Sequence, residues 1–147
     1  MSYGFAALIS WLATAGFGGF LVYLWAGRAA RSAQRGRHTY GRPPPYIPVW
    51  LVVTHVLLAV GGLAAWAAAL VMFDQLAFPA IGALVVVALL GASMFVRWLG
   101  SRRARRAALA LNRAPSESRL PTLVVLGHGL LGITTVVLVL LSWLRPN

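Results

Sequence analysis

The segment PTLVVLGHGLLGITTVVLVLLSWL, residues 121–144, decides the fold class of this chain. It contains no Asp, Glu, Lys or Arg, and at about 1.5 Å per residue a helix of this length crosses the roughly 30 Å hydrocarbon core of a bilayer. Pro121 suits the first helical turn, where a missing backbone N–H costs nothing. The segment therefore predicts a transmembrane helix over residues 122–144.

The composition extends this prediction to the whole chain. The 147 residues are 60% hydrophobic and 10% charged, with a mean hydropathy of +0.79, whereas a soluble domain has about 25% charged residues. Three further apolar segments are long enough to span a bilayer, at about residues 5–25, 49–73 and 78–99. We predict an all-α integral membrane protein, a four-helix up-and-down bundle that forms a single transmembrane domain over residues 1–147.

The arginines predict the orientation of the bundle. All 13 basic residues are Arg, and they concentrate in AGRAARSAQRGRHTYGRPPPYIP (26–48) and GSRRARRAALALNRAPSESRLP (100–121), which connect the first and last pairs of spans. The middle connection, DQLA (74–77), has none. The positive-inside rule places both arginine-rich connections in the cytoplasm and both termini outside. The lack of Lys and the abundance of Ala favour a bacterial source, hence the bacterial plasma membrane, and arginines that flank spans argue against nucleic-acid binding.

Aromatic and small residues give weaker expectations about packing. Small pairs such as Gly61 and Ala65 have the spacing that lets transmembrane helices approach closely. No long internal repeat is evident, although the second and fourth spans share a layout. Aromatic residues near the span ends are expected to anchor the chain at the membrane interfaces; they are Tyr3, Trp25, Tyr46, Trp50, Trp98 and Trp143.

Two histidines within spans carry the functional hypothesis. His55 lies seven residues after Pro48, and His128 lies seven residues after Pro121. In an up-and-down bundle the second and fourth helices run in parallel, so the two imidazoles are expected at one depth, about 10 Å from the helix starts. Two imidazoles on facing helices suit the two axial positions of a haem b iron. The alternative is that both histidines are structural, each with its own hydrogen bond.

Neighbouring residues complete the predicted cofactor site. Gly129 and Gly132 are expected to clear space for a porphyrin beside His128, and Arg97, at the arginine-rich end of the third span, to pair with haem propionates. Arg42 and Arg119 lie near the same interface. The predicted metal ligands are His55 and His128, and no catalytic residue is predicted.

The paired histidines and the apolar layout resemble four-helix membrane b-type cytochromes, including cytochrome b561-like proteins and the membrane anchors of succinate dehydrogenase. The chain is also similar to small actinobacterial integral membrane proteins of unassigned function, whose last helix carries an HGLL stretch. The first resemblance implies one bis-histidine haem b, quinone as a further candidate cofactor, and electron transfer to or from quinone or a partner subunit. Two helix histidines suffice for one haem only, so a two-haem relay across the bilayer is not expected.

Missing residue types exclude other functions. Without Cys the chain forms no disulfide, thiolate-bound cluster or c-type haem attachment. Without Lys it forms no retinal Schiff base. The two acidic residues, Asp74 and Glu117, lie outside the spans, which argues against ion-coupled transport through a carboxylate relay. Whether the chain is an enzyme is left open.

Two hypotheses remain, from different functional classes. The first is a membrane b-type cytochrome or redox anchor subunit of a respiratory chain. The second is a structural accessory subunit of a larger bacterial membrane complex. In both, the expected partners are the lipid bilayer and either other membrane subunits or further copies of the chain.

Overall fold

The computed structural model describes residues 3–36, 47–108 and 120–144, with the backbone alone for 29–36 and 104–108. They form four helices, α1 (Tyr3–Gly36), α2 (Val49–Val71), α3 (Ala77–Ala108) and α4 (Thr122–Leu144), with a 3-10 turn at Asp74–Leu76. This part of the chain contains no strand. Each helix is long and apolar enough to cross a membrane. The all-α prediction and the four predicted spans are confirmed.

The helices begin close to the predicted positions, but α1 and α3 end further along the chain than predicted. The helices α2 and α4 begin immediately after Pro48 and Pro121, whose carbonyls accept hydrogen bonds from Val52 and Val125 at 3.4 and 3.1 Å. The helices α1 and α3 continue past the predicted spans because Ala and Arg, which follow there, favour helix. The helix α3 therefore includes SRRARRAA (101–108), the first part of the second arginine-rich connection.

Two names describe the ends of the bundle. The arginine end is where α1 and α3 finish and α2 and α4 begin, and it contains Arg28, Arg97 and Arg102. The hairpin end is where the turn at Asp74–Leu76 joins α2 to α3. There the Asp74 carboxylate accepts a hydrogen bond from the backbone N–H of Gln75 at 2.8 Å.

The helices pack in a ring in which α2 and α4 face each other across the interior. The most extensive packing joins α1 to α4 and α2 to α3, and the pairs α1–α2 and α3–α4 pack less closely. Among the described residues, no Cα atom of α2 lies within 8 Å of one in α4, and the same holds for α1 and α3. The sequence predicted that α2 and α4 would face each other, and this is the arrangement found.

Two separate apolar cores fill the interior. The hairpin-end core and the arginine-end core lie on opposite sides of the level of His55 and His128. Large apolar side chains cover the outer faces, and Leu123 is 84% exposed, as expected of helices in contact with lipid. The hairpin-end core consists of Ala7, Trp11, Trp66, Ala80, Leu84 and Val139, and the arginine-end core of Ile47, Leu51, Val52 and Trp98.

Two packing expectations are wrong in detail. Gly61 faces outwards, and a Cβ added to it would have nothing within 4 Å, whereas its neighbour Gly62 is the glycine that packs, against Trp11 and Ala83. Trp98 is not an interfacial anchor, because it is 2% exposed and belongs to the arginine-end core. Gly61 was chosen by spacing and Trp98 by its place near the end of a span. Neither criterion fixes the helical face, since adjacent residues on a helix point about 100° apart.

Several residues 73 positions apart occupy corresponding places in the two halves of the bundle, a relation that was not evident from the sequence alone. His55 and His128 lie 73 positions apart, and so do Pro48 and Pro121. The same spacing relates buried residues of α1 and α2 to buried residues of α3 and α4, so the hairpin-end core consists of three such pairs. The pairs are Ala7 with Ala80, Trp11 with Leu84, and Trp66 with Val139.

Candidate functional site

The two span histidines meet between the two apolar cores. The ring centroids of His55 and His128 are 6.2 Å apart, with an angle of 64° between the ring planes. His55 projects from α2 and His128 from α4, so side chains bridge the gap that the two backbones leave open. The predicted common depth of the two imidazoles is therefore found in the structure.

His128 is held in one orientation by the backbone of α1. Its Nδ1 lies 2.9 Å from the carbonyl oxygen of Thr14. Because a carbonyl only accepts hydrogen bonds, Nδ1 carries the proton and donates it, and the neutral ring keeps its free lone pair on Nε2. Metal-binding histidines commonly donate the other ring N–H to a carbonyl in this way, which fixes the tautomer and the ring orientation.

The side chain of Thr14 belongs to a cluster of hydroxyl groups between α1 and α4. The hydroxyl of Thr135 lies 2.9 Å from the hydroxyl of Ser10 and 3.3 Å from the hydroxyl of Thr14. Thr14 also donates to the carbonyl of Ser10 at 2.8 Å. These bonds join α1 to α4 beside His128. Thr135 is buried here, whereas Thr54 and Thr134 are exposed.

His55 has the equivalent neighbours but lacks the equivalent hydrogen bond. Its Nδ1 is buried without a hydrogen-bond partner among the described residues, although the ring lies near the Val87 backbone on α3. Val87 is the residue 73 positions after Thr14. The two imidazoles thus face corresponding backbone positions of α3 and α1.

Glycines on the neighbouring helices make room for both rings. A Cβ on Gly18 would lie 2.9 Å from Cε1 of His128, and a Cβ on Gly91 would lie 3.2 Å from Cε1 of His55. Gly18 and Gly91 are again 73 positions apart. Neither glycine was predicted from the histidine-bearing spans, because they lie on α1 and α3, and the repeat spacing is the signal that finds them.

The glycines predicted from the sequence lie elsewhere. Gly129 is exposed, with open space where a Cβ would be, and a Cβ on Gly132 would lie 3.9 Å from a Thr14 methyl group. The structure does not bring Gly129 to the imidazoles. The reason is geometric, because the residue after His128 points about 100° away from it around the helix.

The predicted basic group, Arg97, lies at the arginine end, and its pairing with a propionate stays a prediction. Arg97 is exposed, whereas Nη1 of Arg28 and Nε1 of Trp98 are buried without hydrogen-bond partners among the described residues. Leaving such a donor unsatisfied costs about 1–3 kcal/mol, and more when it is charged. Arg42 and Arg119, together with His38, lie outside the described residues.

The donor set suits a haem better than a free metal ion. In the part of the chain that the structure describes, no three His, Cys, Asp or Glu side chains come together as a metal site. A structural zinc ion takes four protein ligands, and a catalytic one takes three. A haem needs only axial ligands from the protein, because its porphyrin supplies the rest. Two facing imidazoles, for which Gly18 and Gly91 leave room, and the unpaired buried Nδ1 of His55 are compatible with a bis-histidine haem.

Comparisons with protein-family models, with curated proteins and with solved structures found no match to this chain. The resemblance to b-type cytochromes therefore stays a prediction, carried by the site geometry.

An apolar groove between α3 and α4 lies outside this site. Its volume is about 220 Å³, and every residue that lines it is apolar. It extends along the hairpin-end half of the two helices, from Ala88 and Val136 towards Ile81 and Leu140. With no polar group to orient a ligand, it is typical of a lipid-facing seam between two loosely packed helices.

Proposed function

We propose that the chain is a membrane b-type cytochrome, in which His55 and His128 bind one haem b between α2 and α4 and pass electrons to or from quinone or a partner subunit. The observation that carries the proposal is the pair of facing imidazoles, one of which donates its Nδ1 proton to a backbone carbonyl at 2.9 Å. That hydrogen bond leaves Nε2 of His128 available as a ligand atom.

The separation of the rings supports the proposal. Imidazole nitrogens bind transition metals at about 2 Å, and the ring centroid lies about 1 Å further on, so two axial imidazoles have centroids roughly 6 Å apart. The observed separation is 6.2 Å. Two imidazoles in direct edge-to-face contact have a similar separation, so the supporting feature is this distance in combination with the Nδ1 hydrogen bond and the two glycines.

The residues of the chain have distinct parts in this proposal. The haem, when bound, supplies an iron that exchanges one electron. His55 and His128 are neutral ligands, the Thr14 carbonyl orients one of them, and Gly18 and Gly91 leave room beside both. The two apolar cores exclude water from the layer between them, which strengthens the electrostatic effect of any nearby charge.

The depth of the site restricts the electron path. Both histidines lie seven residues from the start of their helices at the arginine end, about 10 Å along helices that are about 34 Å long. Ligands at this depth would hold a haem near the arginine end, and one such group would not by itself carry electrons across a bilayer. A quinone or a partner subunit is therefore required as the second redox group.

The visible spectrum tests the proposal. The full chain, purified in mild detergent from cells supplied with haem precursor, is expected to hold one haem b per chain and to show sharp, split visible bands on reduction. A colourless protein that does not take up added haem would contradict the proposal. It would favour the accessory-subunit hypothesis, with both imidazoles as hydrogen-bonded packing residues.

We further propose that the arginine end faces the cytoplasm. Because the chain has no Cys, a single cysteine at Ser32 or Ser116 reports on one site only. The positive-inside rule predicts that neither variant reacts with an impermeant thiol reagent in intact cells and that both react after the membrane is opened. A cysteine at Gln75, in the turn at the hairpin end, is the matched control and should react in intact cells. The opposite labelling pattern would reverse the orientation.

A further inference from the structure

Two buried donors at the arginine end lack acceptors among the described residues. They are Nη1 of Arg28 on α1 and Nε1 of Trp98 on α3. Trp98 is 2% exposed, so bulk water does not replace the missing acceptor. Guanidinium and indole N–H groups only donate hydrogen bonds, and buried donors are normally paired. An acceptor with negative charge would satisfy both.

The two donors lie on the same side of the imidazoles. Trp98 follows Gly91 by seven residues and Arg28 follows Gly18 by ten, which places their Cα atoms about 10 and 15 Å towards the arginine end. Helical Cα–Cβ bonds tilt towards the N-terminus, so both side chains lean back towards the imidazoles. Trp25, one turn before Arg28, packs against the arginine-end core, to which Trp98 also belongs, so both donors border the same core.

Arg102 adds positive charge beside the same indole. Its guanidinium carbon lies 5.0 Å from the centre of the Trp98 ring, and its Nη1 donates to the Thr122 hydroxyl at 2.7 Å. This bond joins α3 to the start of α4. Arg102 is thus already engaged, whereas the buried N–H groups of Arg28 and Trp98 have no acceptor in the part of the chain that the structure describes.

We propose that Arg28 and Trp98 form a binding site for an oxyanion at the arginine end of the interior. The inference rests on the proposed haem. A haem held by His55 and His128 would bring two propionate carboxylates, and α1 and α3, the helices that flank the imidazoles, carry the two donors. A phospholipid phosphate has the same acceptor chemistry and is the second source of such a group.

Haem and haem dimethyl ester distinguish the two sources. In the ester both propionates are neutral, and the iron and the porphyrin plane are unchanged. The haem-free full chain is titrated separately with haem and with the ester. The titrations are made for the wild type, Arg28→Gln and Trp98→Phe. The wild type is expected to bind haem about ten to a hundred times more tightly than the ester, as for charge-assisted hydrogen bonds. Each variant should reduce that preference by at least about threefold.

Two matched variants serve as controls. Arg103→Gln removes the same charge from an exposed position, and Trp143→Phe removes an exposed indole N–H. Both should keep the wild-type preference. Arg28→Gln should also lower the reduction potential of bound haem, since a nearby positive charge favours the reduced iron.

The outcomes separate this site from the proposed function. Equal affinity for haem and ester in the wild type excludes the propionates. If native mass spectrometry then shows anionic phospholipid retained by the wild type and lost from Arg28→Gln and Trp98→Phe, the oxyanion is a lipid phosphate. Equal affinity without such retention overturns the oxyanion site and leaves the haem proposal standing. If the wild type binds neither porphyrin, the haem proposal is overturned. The oxyanion site is then supported if the wild type retains anionic phospholipid and the two variants do not, and it is overturned if the wild type retains none.

Discussion

Replacing either His55 or His128 by alanine is expected to abolish the low-spin spectrum of bound haem completely. A bis-imidazole iron needs both axial ligands, so the loss of one leaves a high-spin iron or no bound haem. The double variant should look no worse than either single variant, because the two residues act as one unit. The measurement is the reduced-minus-oxidised absorption spectrum, with the haem content of the purified protein.

The third histidine provides the control for this experiment. His38 lies in the first arginine-rich connection, and His38→Ala should leave the spectrum unchanged. Free imidazole should restore low-spin bands to His128→Ala, since it replaces the ligand atom without rebuilding the side chain. If the histidines are structural, the two single variants cause moderate losses of stability that add up in the double variant. An unchanged spectrum in either single variant would contradict the assignment of that ligand.

Gly18→Ala is expected to weaken haem binding about 5- to 150-fold, which corresponds to the usual 1–3 kcal/mol for overpacking a well-packed interior. The added Cβ would lie 2.9 Å from Cε1 of His128, so the imidazole must move from its position beside the Thr14 carbonyl. Gly91→Ala should have a smaller effect in the same direction, because its Cβ would lie 3.2 Å from His55. Haem titration of the apoproteins measures both.

The adjacent glycine is a matched control. Gly19 is exposed with nothing within 4 Å of a Cβ position. Gly19→Ala should keep wild-type haem affinity and should stabilise α1 by about 0.5–1 kcal/mol, the usual helix preference for Ala over Gly. Gly129→Ala should likewise leave haem binding unchanged. If Gly19→Ala weakened binding as much as Gly18→Ala, the effect would lie in the helix and not beside the imidazole.

The sequence predicted those features that depend on length, charge and depth. Four apolar segments predicted four helices, and Pro48 and Pro121 predicted where α2 and α4 begin. Equal distances from those prolines predicted that His55 and His128 would lie at one level. Such features follow from hydropathy and from the helical rise, neither of which depends on how the helices are rotated about their axes.

The features that depend on helix rotation were not predicted. Gly129, next to His128 in the sequence, points away from it, whereas Gly18, 110 positions away, touches its ring. Trp98 looked like an interfacial anchor because it lies near the end of its span, yet rotation of α3 buries it. The 73-residue spacing is a partial guide to which residues face the interior, since it relates Gly18 to Gly91 and Trp25 to Trp98. The repeat is convincing only once the structure shows both members of each pair in corresponding places.

Electron paramagnetic resonance of the oxidised wild-type protein tests most directly whether His55 and His128 hold one iron between them. Two axial imidazoles with planes 64° apart, as in this structure, predict a strongly anisotropic low-spin ferric signal that is lost in both His55→Ala and His128→Ala and kept in His38→Ala. A high-spin signal in the wild type, or a protein with no haem signal after reconstitution, would contradict the account.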